Sequence, residues 1–216
     1  MTEGPLLQLA LDVLELDEGL KAAHAAADSI DVIEAGTLLC LSEGMNAIRT
    51  LRGAFPQKTI VGDVRIVRAG KNIADMAFDA GADWVTVVGE APLETIEAAV
   101  KAAGSYGGEI QVELNHDWTE DQAREWRGLS IRQVIFHSTA EVGAMGEGWS
   151  QLALETVQQL SSLGFQVTAT GGIQVETIPS FSGIPVFAFI AGRSIVKADE
   201  PADAARRFKK AIRQLP

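Results

Sequence analysis

The feature that most constrains the fold is an alternation, along the whole chain, of short apolar runs and longer stretches with helical spacing. Eight apolar runs occur, at residues 6–11, 32–33, 59–61, 84–88, 110–114, 133–136, 165–169 and 186–190. Helix-like stretches follow them at residues 16–28, 43–54, 70–80, 92–104, 119–127, 149–163, 174–181 and 202–214. Such alternation is typical of a parallel sheet covered by helices. Eight units within 216 residues predict a closed (β/α)8 barrel that occupies residues 1–216 as one domain.

An open, doubly wound α/β sheet is the structural alternative. Its usual dinucleotide-binding fingerprint is G-x-G-x-x-G after the first strand, and this pattern is absent after the run that ends at Asp12. The sequence therefore favours the closed barrel.

Charge and composition exclude several classes of function. The chain has 18 basic and 29 acidic residues, a net charge of −11, which disfavours nucleic acid as a partner. One cysteine rules out an internal disulfide. The sequence has no run of 18 consecutive apolar residues, the length needed to span a membrane, and it does not open with the pattern of a secretion signal. We expect a cytoplasmic protein.

Charged residues close several of the apolar runs, where a barrel carries its chemistry. Asp12, Glu34, Asp63, Glu113 and His137 stand at or near the ends of their runs. A helix cap would explain Asp12 equally well, but Glu and His are poor caps. We therefore expect a site at the barrel mouth, where His137 could move protons near neutral pH.

The carboxylates that follow the first three runs suggest a cation. Asp12, Glu34 and Asp63 would repel one another at the mouth unless a cation lay among them, and hard oxygen ligands suit Mg²⁺. The alternative is that each carboxylate is paired with a nearby Lys or Arg, for which Arg65 is available.

Glycines and an arginine follow the last two runs and indicate a phosphate site. The seventh run is followed by Thr170, Gly171 and Gly172, and the eighth by Gly192 and Arg193. Glycine allows a ligand to approach the backbone, helix starts bind anions, and an arginine fork fits phosphate. Two ordinary turns are the alternative. Asn115 and His116, beyond the fifth run, are ambiguous.

Six segments carry a resemblance to a known family. They are residues 9–12 (LALD), 33–37 (IEAGT), 82–87 (ADWVTV), 111–114 (QVEL), 167–172 (VTATGG) and 189–195 (FIAGRSI). The chain resembles, nearly end to end, the 3-keto-L-gulonate 6-phosphate decarboxylase and hexulose-6-phosphate synthase group of the orotidine monophosphate decarboxylase suprafamily. Residues 118–119, 122–123 and 126–127 are more similar to the decarboxylase branch.

The resemblance implies a dimeric (β/α)8 barrel with its sites at the subunit interface. It also implies that Glu34 and Asp63 bind Mg²⁺, which stabilises an enediolate left after C–C cleavage. Asp12 would bind substrate hydroxyls, and His137 and Glu113 would lie near the reacting carbons and help to deliver a proton.

The same resemblance assigns the phosphate group of the substrate to the ends of the last two runs. Gly172, Gly192 and Arg193 would hold it.

One family motif is altered in this chain. The family pattern D-x-K-x-x-D reads here as Asp63, Arg65 and Arg68, so the motif changes from a charge of −1 to +1. Arginine does not readily exchange a proton, although it can stabilise an enediolate electrostatically. Arg68 would attract a substrate anion in the partner's site, or close the site by pairing with a mouth carboxylate. Ala140 stands where the decarboxylase branch has an arginine.

The expected function is a Mg²⁺-dependent lyase that acts on a phosphorylated keto sugar or sugar acid. Two alternatives stay open. One is another enediolate reaction on the same scaffold: a hexulose-6-phosphate synthase-type aldolase or a sugar-phosphate isomerase or epimerase. The other is a barrel that binds sugar phosphates without turning them over. Release of CO₂, release of formaldehyde, or binding without turnover distinguishes these readings.

Overall fold

The chain folds into a closed barrel of eight parallel strands, as the alternation predicts. The computed structural model describes residues 4–114, 117–138 and 149–216. Each strand pairs with the next along the chain, and the eighth pairs with the first. The strands are β1 Leu6–Leu11, β2 Val32–Ala35, β3 Thr59–Ile66, β4 Trp84–Val88, β5 Glu109–Glu113, β6 Gln133–His137, β7 Gln166–Thr170 and β8 Ala188–Ala191.

Helices surround the strands in the described part of the chain. They are α1 Leu16–Ala26, α2 Thr37–Glu43, α3 Asn46–Ala54, α4 Gly70–Asp79, α5 Leu93–Tyr106, α6 Glu120–Gly128, α7 Gln151–Ser162, α8 Arg193–Val196 and α9 Pro201–Arg213. The stretch predicted as a helix at 174–181 is a 3₁₀ helix, Val175–Phe181, and contains Pro179. Proline lacks the N–H that an α-helix interior requires. No helix among the described residues is long and apolar enough to cross a membrane.

Most of the hydrophobic core lies between the strands and the helices. Along β1, Leu7, Leu9 and Leu11 are fully buried in this core. The residues between them face the barrel interior, where Ala10 packs in a separate cluster with Ile135 and Ile190. A strand buried on both faces loses apolar surface to water on each side, which explains the nearly continuous apolar runs.

The interior side chains form layers, each built from alternate strands. A layer is found by following the paired residues from strand to strand and moving one residue further along the chain at each step. From Gln8 this path passes through residues of β3, β5 and β7 and returns to Gln8. From the mouth inward, the layers are Ala10, Asp63, Glu113 and Thr170 (upper layer), Glu34, Thr86, Ile135 and Ile190 (middle layer), and Gln8, Val61, Gln111 and Thr168 (lower layer).

The third strand departs from the sequence prediction. We expected it to end at Asp63, but β3 continues to Ile66. Gly62 pairs with Val85 of β4, whereas Ile66 pairs with Val87, so the register shifts between them. Within this bulge Arg65 has φ 44°, a left-handed conformation that is rare for a residue other than glycine. Bulges of this kind re-aim side chains and are common beside active sites.

Candidate active site

Asp63 is the most firmly held side chain at the barrel mouth. It is buried, and its Oδ2 accepts hydrogen bonds from the Thr37 backbone N–H, at 3.1 Å, and from the Thr37 hydroxyl. The Thr86 hydroxyl donates to its Oδ1 at 2.8 Å. The same Thr86 oxygen accepts the backbone N–H of Arg65 at 2.9 Å, so one hydroxyl fixes both ends of the bulge.

Glu34 lies one layer further in than Asp63 and is also buried. Its Oε2 accepts a hydrogen bond from Gln8 Nε2 at 2.6 Å. Burial, and next the Asp63 carboxylate, raise the pKa of Glu34 well above its usual range. The site is therefore one in which a cation or a proton would relieve the repulsion between two carboxylates.

Arg65 spans the mouth and joins two of its carboxylates. Its Nη2 donates to Glu113 Oε1 at 2.9 Å, and its Nε lies 3.5 Å from Asp63 Oδ2. Burial raises the pKa of Glu113 to about 7, although the Arg65 guanidinium acts in the opposite direction. The pairing that the sequence offered as an alternative to a cation is thus present for Asp63.

Asp12 lies at the rim, more open than the other carboxylates. Its carboxyl oxygen sits so close to Gly36 that a Cβ there would come within 2.3 Å of Oδ1. Partial enclosure, and next the charge of Asp63, raise the pKa of Asp12, while the charges of Arg65 and Arg193 lower it. The backbone at Leu38 also lowers the pKa of Asp12.

The donor set fits Mg²⁺ through two carboxylates rather than three. Among the described residues no group of three or more His, Cys, Asp or Glu side chains could hold a metal ion, which corrects the expectation of a cluster that includes Asp12. Glu34 and Asp63 remain, and both are buried carboxyl groups that offer oxygen donors. Mg²⁺ is commonly bound by one or two carboxylates, with water and substrate oxygens completing its coordination.

The ends of β7 and β8 lie side by side, as a shared ligand site would require. Gly171 has φ 97°, and a Cβ on it would come within 2.5 Å of the Ser138 carbonyl oxygen. The Ser194 hydroxyl donates to the Ile173 carbonyl at 3.2 Å and ties the two loops together. Thr170 ends β7, and Gly172 follows with φ 63°. Gly192 precedes α8, which begins at the exposed Arg193.

Two further predicted residues lie at the mouth but are more exposed. His137 ends β6 opposite Thr170 and lies against Gly171. Arg68 follows β3, is exposed, and forms no salt bridge with any other described residue, so it does not close the site on the carboxylates. Asn115, His116 and Ala140 lie outside the described residues.

Sequence reasoning missed three residues that support these carboxylates, namely Gln8, Thr37 and Thr86. Gln8 and Thr86 are fully buried within apolar runs, each facing the barrel interior. A polar residue inside an otherwise apolar strand was the available signal, because a buried polar group requires a partner. Thr37 begins the short helix α2, which the sequence did not predict.

Comparison with known proteins places this geometry among sugar-phosphate enzymes. The model of the Orotidine 5′-phosphate decarboxylase / HUMPS family matches residues 5–208. The 3-keto-L-gulonate-6-phosphate decarboxylase UlaD of Salmonella typhi is 42% identical over 211 residues, covering 98% of each chain. The crystal structure of KGPDC from Streptococcus mutans in complex with D-R5P has a TM-score of 0.94 and 42% identity, with 98% of each chain covered. The 3-hexulose-6-phosphate synthase of Salmonella typhimurium has a TM-score of 0.88 and 27% identity, covering 98% of this chain and 100% of that chain.

Proposed function

The chain belongs to the orotidine 5′-phosphate decarboxylase / HUMPS family, and on that premise we propose that it is a Mg²⁺-dependent decarboxylase of a phosphorylated keto sugar acid of the 3-keto-L-gulonate 6-phosphate type. Identity is 39–42% to such decarboxylases and 27–33% to synthases of the same fold, which favours decarboxylation over an aldol step. The observation that carries the proposal is the buried pair Glu34 and Asp63, set in adjacent layers beneath Arg65.

The reaction breaks one C–C bond of a β-keto acid. The carboxylate carbon leaves as CO₂, and the electron pair of the broken bond stays on the neighbouring carbon as an enediolate. A proton added to that carbon completes a ketopentose phosphate. The protein must therefore stabilise negative charge that develops on the enediolate oxygens and then supply one proton.

Glu34 and Asp63 would hold Mg²⁺, which supplies positive charge against the enediolate oxygens when it is bound. Thr37 and Thr86 donate to Asp63, and Gln8 donates to Glu34. These donors fix the orientation of both carboxyl groups at the site.

Arg65 occupies the position of the family's lysine and adds a permanent positive charge at the mouth. Its ion pair with Glu113 directs the guanidinium along the rim of the site. Because arginine does not release a proton readily, we assign proton delivery to His137, acting through a water molecule. Glu113, whose pKa is about 7, stands as the neighbouring acid.

The rest of the substrate would bind across the mouth. Asp12 would accept hydrogen bonds from substrate hydroxyls. The phosphate would lie at the ends of β7 and β8, held by Arg193 and by the backbone of the loops there. That backbone contribution comes from Thr170, Gly171, Gly172 and Gly192.

We also propose a homodimer in the cytoplasm, in which Arg68 of one subunit enters the site of the other. Four large apolar side chains near the ends of β1, β2 and β3 are exposed and would be covered in such a dimer: Leu14, Leu38, Leu41 and Val67. Arg68 adjoins Val67, and its charge would meet an anionic group of the substrate. A monomeric form would then lack activity.

A ¹H NMR assay in D₂O tests the reaction. The protein with Mg²⁺ is given 3-keto-L-gulonate 6-phosphate and, separately, ribulose 5-phosphate with formaldehyde. We expect a ketopentose phosphate that carries deuterium at the carbon that lost CO₂. Turnover of the formaldehyde pair alone would assign the chain to the aldol reaction. Binding of both substrates without turnover by the folded protein would overturn the proposed enzyme.

A further inference from the structure

Unpaired polar atoms in the barrel interior are confined to one layer. Three buried side-chain atoms have no hydrogen-bond partner among the described residues: Gln8 Oε1, Gln111 Oε1 and Thr168 Oγ1. All three side chains are fully buried, and they are the three polar members of the lower layer, whose fourth member is Val61. Buried polar atoms left without a partner are costly, and natural proteins commonly satisfy them with an internal water molecule.

The direction of both amides is set by carboxylates outside the layer. Gln8 Nε2 donates to Glu34 at 2.6 Å, which leaves Gln8 Oε1 for another partner. Gln111 Nε2 donates to Gln133 Oε1 at 2.8 Å, and Gln133 Nε2 donates in turn to Glu109 Oε2 at 3.1 Å. Because the amide NH₂ group is the donor in each of these hydrogen bonds, each chain of donors ends with a carbonyl oxygen that needs a proton donor.

These atoms come from strands that surround the same stretch of the barrel axis. Gln8 lies on β1 and Gln111 on β5, on opposite sides of an eight-stranded barrel, and Thr168 lies on β7 between them. The interior of such a barrel is just wide enough for side chains from facing strands to meet at its axis. Side chains of one layer that start on these strands are therefore within reach of one another at the axis.

We propose that one ordered water molecule occupies the lower layer, donating to Gln8 Oε1 and Gln111 Oε1 and accepting from the Thr168 hydroxyl. The donors and acceptors of one water match those of the three side chains. Its two protons serve the two carbonyl oxygens, and a lone pair accepts the hydroxyl proton. A monovalent cation would satisfy the carbonyls but leave the hydroxyl proton without an acceptor. The chemistry of the layer thus selects water.

This water has a consequence for the mouth above it. It joins two chains of hydrogen bonds into one path that runs through the barrel from Glu34 to Glu109. It also holds the Gln8 amide in the orientation that presents its NH₂ group to Glu34. The inference rests on the barrel interior and does not depend on which reaction the protein catalyses.

High-resolution diffraction of the protein, with one crystal soaked in rubidium chloride, tests the assignment. We expect one spherical density peak at hydrogen-bond distance from all three atoms, about 2.7–3.2 Å, without anomalous signal from rubidium. An anomalous peak at that place would replace the water with a cation site. A layer without density would overturn the proposal, and the wild-type crystal alone decides between these results.

Two variants examine the role of the hydroxyl. Thr168→Val keeps the shape of the side chain and removes the only donor to the water, so we expect the density to be lost or displaced. The matched control is Thr156→Val, which removes a hydroxyl exposed on α7 that donates to the Leu152 carbonyl, and it should leave the peak in place. A peak that persists unchanged in Thr168→Val would show that Thr168 is not a ligand and would contradict the three-partner site.

Discussion

At the scale of single residues, the two arginines of the altered motif have different environments. Arg65 forms ion pairs with Glu113 and Asp63, so its charge is largely offset within the site. Arg68 is exposed and pairs with no other described residue. An exposed cation beside a site for anionic substrates is available to the substrate, whereas a paired one mainly organises its neighbours.

Reversing the charge of Arg68 should weaken substrate binding. We expect Arg68→Asp to raise KM about tenfold, an effect of about 1.4 kcal/mol, with a smaller increase at high salt because exposed charges are screened. Steady-state kinetics at two salt concentrations measures this. The control Arg206→Asp makes the same charge change on α9, and there KM should stay unchanged. Equal KM for wild type and Arg68→Asp would refute the role.

Removing the Thr86 hydroxyl should disturb the bulge of β3 without touching the substrate. In Thr86→Val, Asp63 Oδ1 and the Arg65 backbone N–H both lose their partner. We expect a loss of about 1–3 kcal/mol of stability and a fall in kcat about tenfold, with KM little changed. Chemical denaturation and kinetics measure the two effects. Thr156→Val serves as the exposed control, and a Thr86→Val enzyme with wild-type kcat would contradict the positioning role.

At the scale of elements, the sequence predicts the units that repeat and misses those that interrupt the repeat. All eight runs became strands because burial on both faces demands continuous apolar residues. No pattern in the sequence indicates the bulge in β3, because Arg65 adopts its left-handed φ through contacts with β4. The short helices α2 and α8 are too brief to show helical periodicity. The residues at the barrel mouth were predictable because the sequence shows where each apolar run ends. The residues that hydrogen-bond to them were not, because those contacts depend on the register between strands.

The contact between α4 and α5 gives a prediction at this scale. A Cβ on Gly70 would lie 2.0 Å from the Thr95 carbonyl oxygen, while Gly104, in the last turn of α5, has nothing within 4 Å. We expect Gly70→Ala to destabilise the protein by about 1–3 kcal/mol. Gly104→Ala should stabilise it by about 0.5–1 kcal/mol, through helix propensity. Denaturant unfolding measures both, and equal effects would contradict the packing described.

At the scale of the whole molecule, the barrel gathers carboxylates that are costly to ionise together. Glu34, Asp12 and Glu113 all have a pKa raised by burial before any other cause. The chain also carries a net charge of −11, which adds to the repulsion. Without a bound cation, the free energy of unfolding should therefore fall as pH rises and these carboxyl groups ionise.

For Glu113 the sign follows from a pKa of about 7 in place of 4.5. The neutral carboxyl is favoured in the folded protein, so its contribution is present at low pH and is lost as pH rises through about 7. We expect the free energy of unfolding, measured without Mg²⁺, to fall between pH 4.5 and 7, with at most about 3 kcal/mol from this group. In Glu113→Gln the slope should be shallower than in the wild-type protein. Identical slopes in the two proteins would rule out the raised pKa.

The most direct test of the account is release of labelled CO₂ from 3-keto-L-gulonate 6-phosphate that carries ¹³C in its carboxylate. With Mg²⁺, we expect the wild-type protein to release one ¹³CO₂ for each ketopentose phosphate formed. Asp63→Asn, which keeps the shape of the side chain but removes its charge, should lose most of this activity. If the folded wild-type protein binds the substrate and releases no ¹³CO₂, the assignment of a decarboxylase centred on Glu34 and Asp63 is wrong.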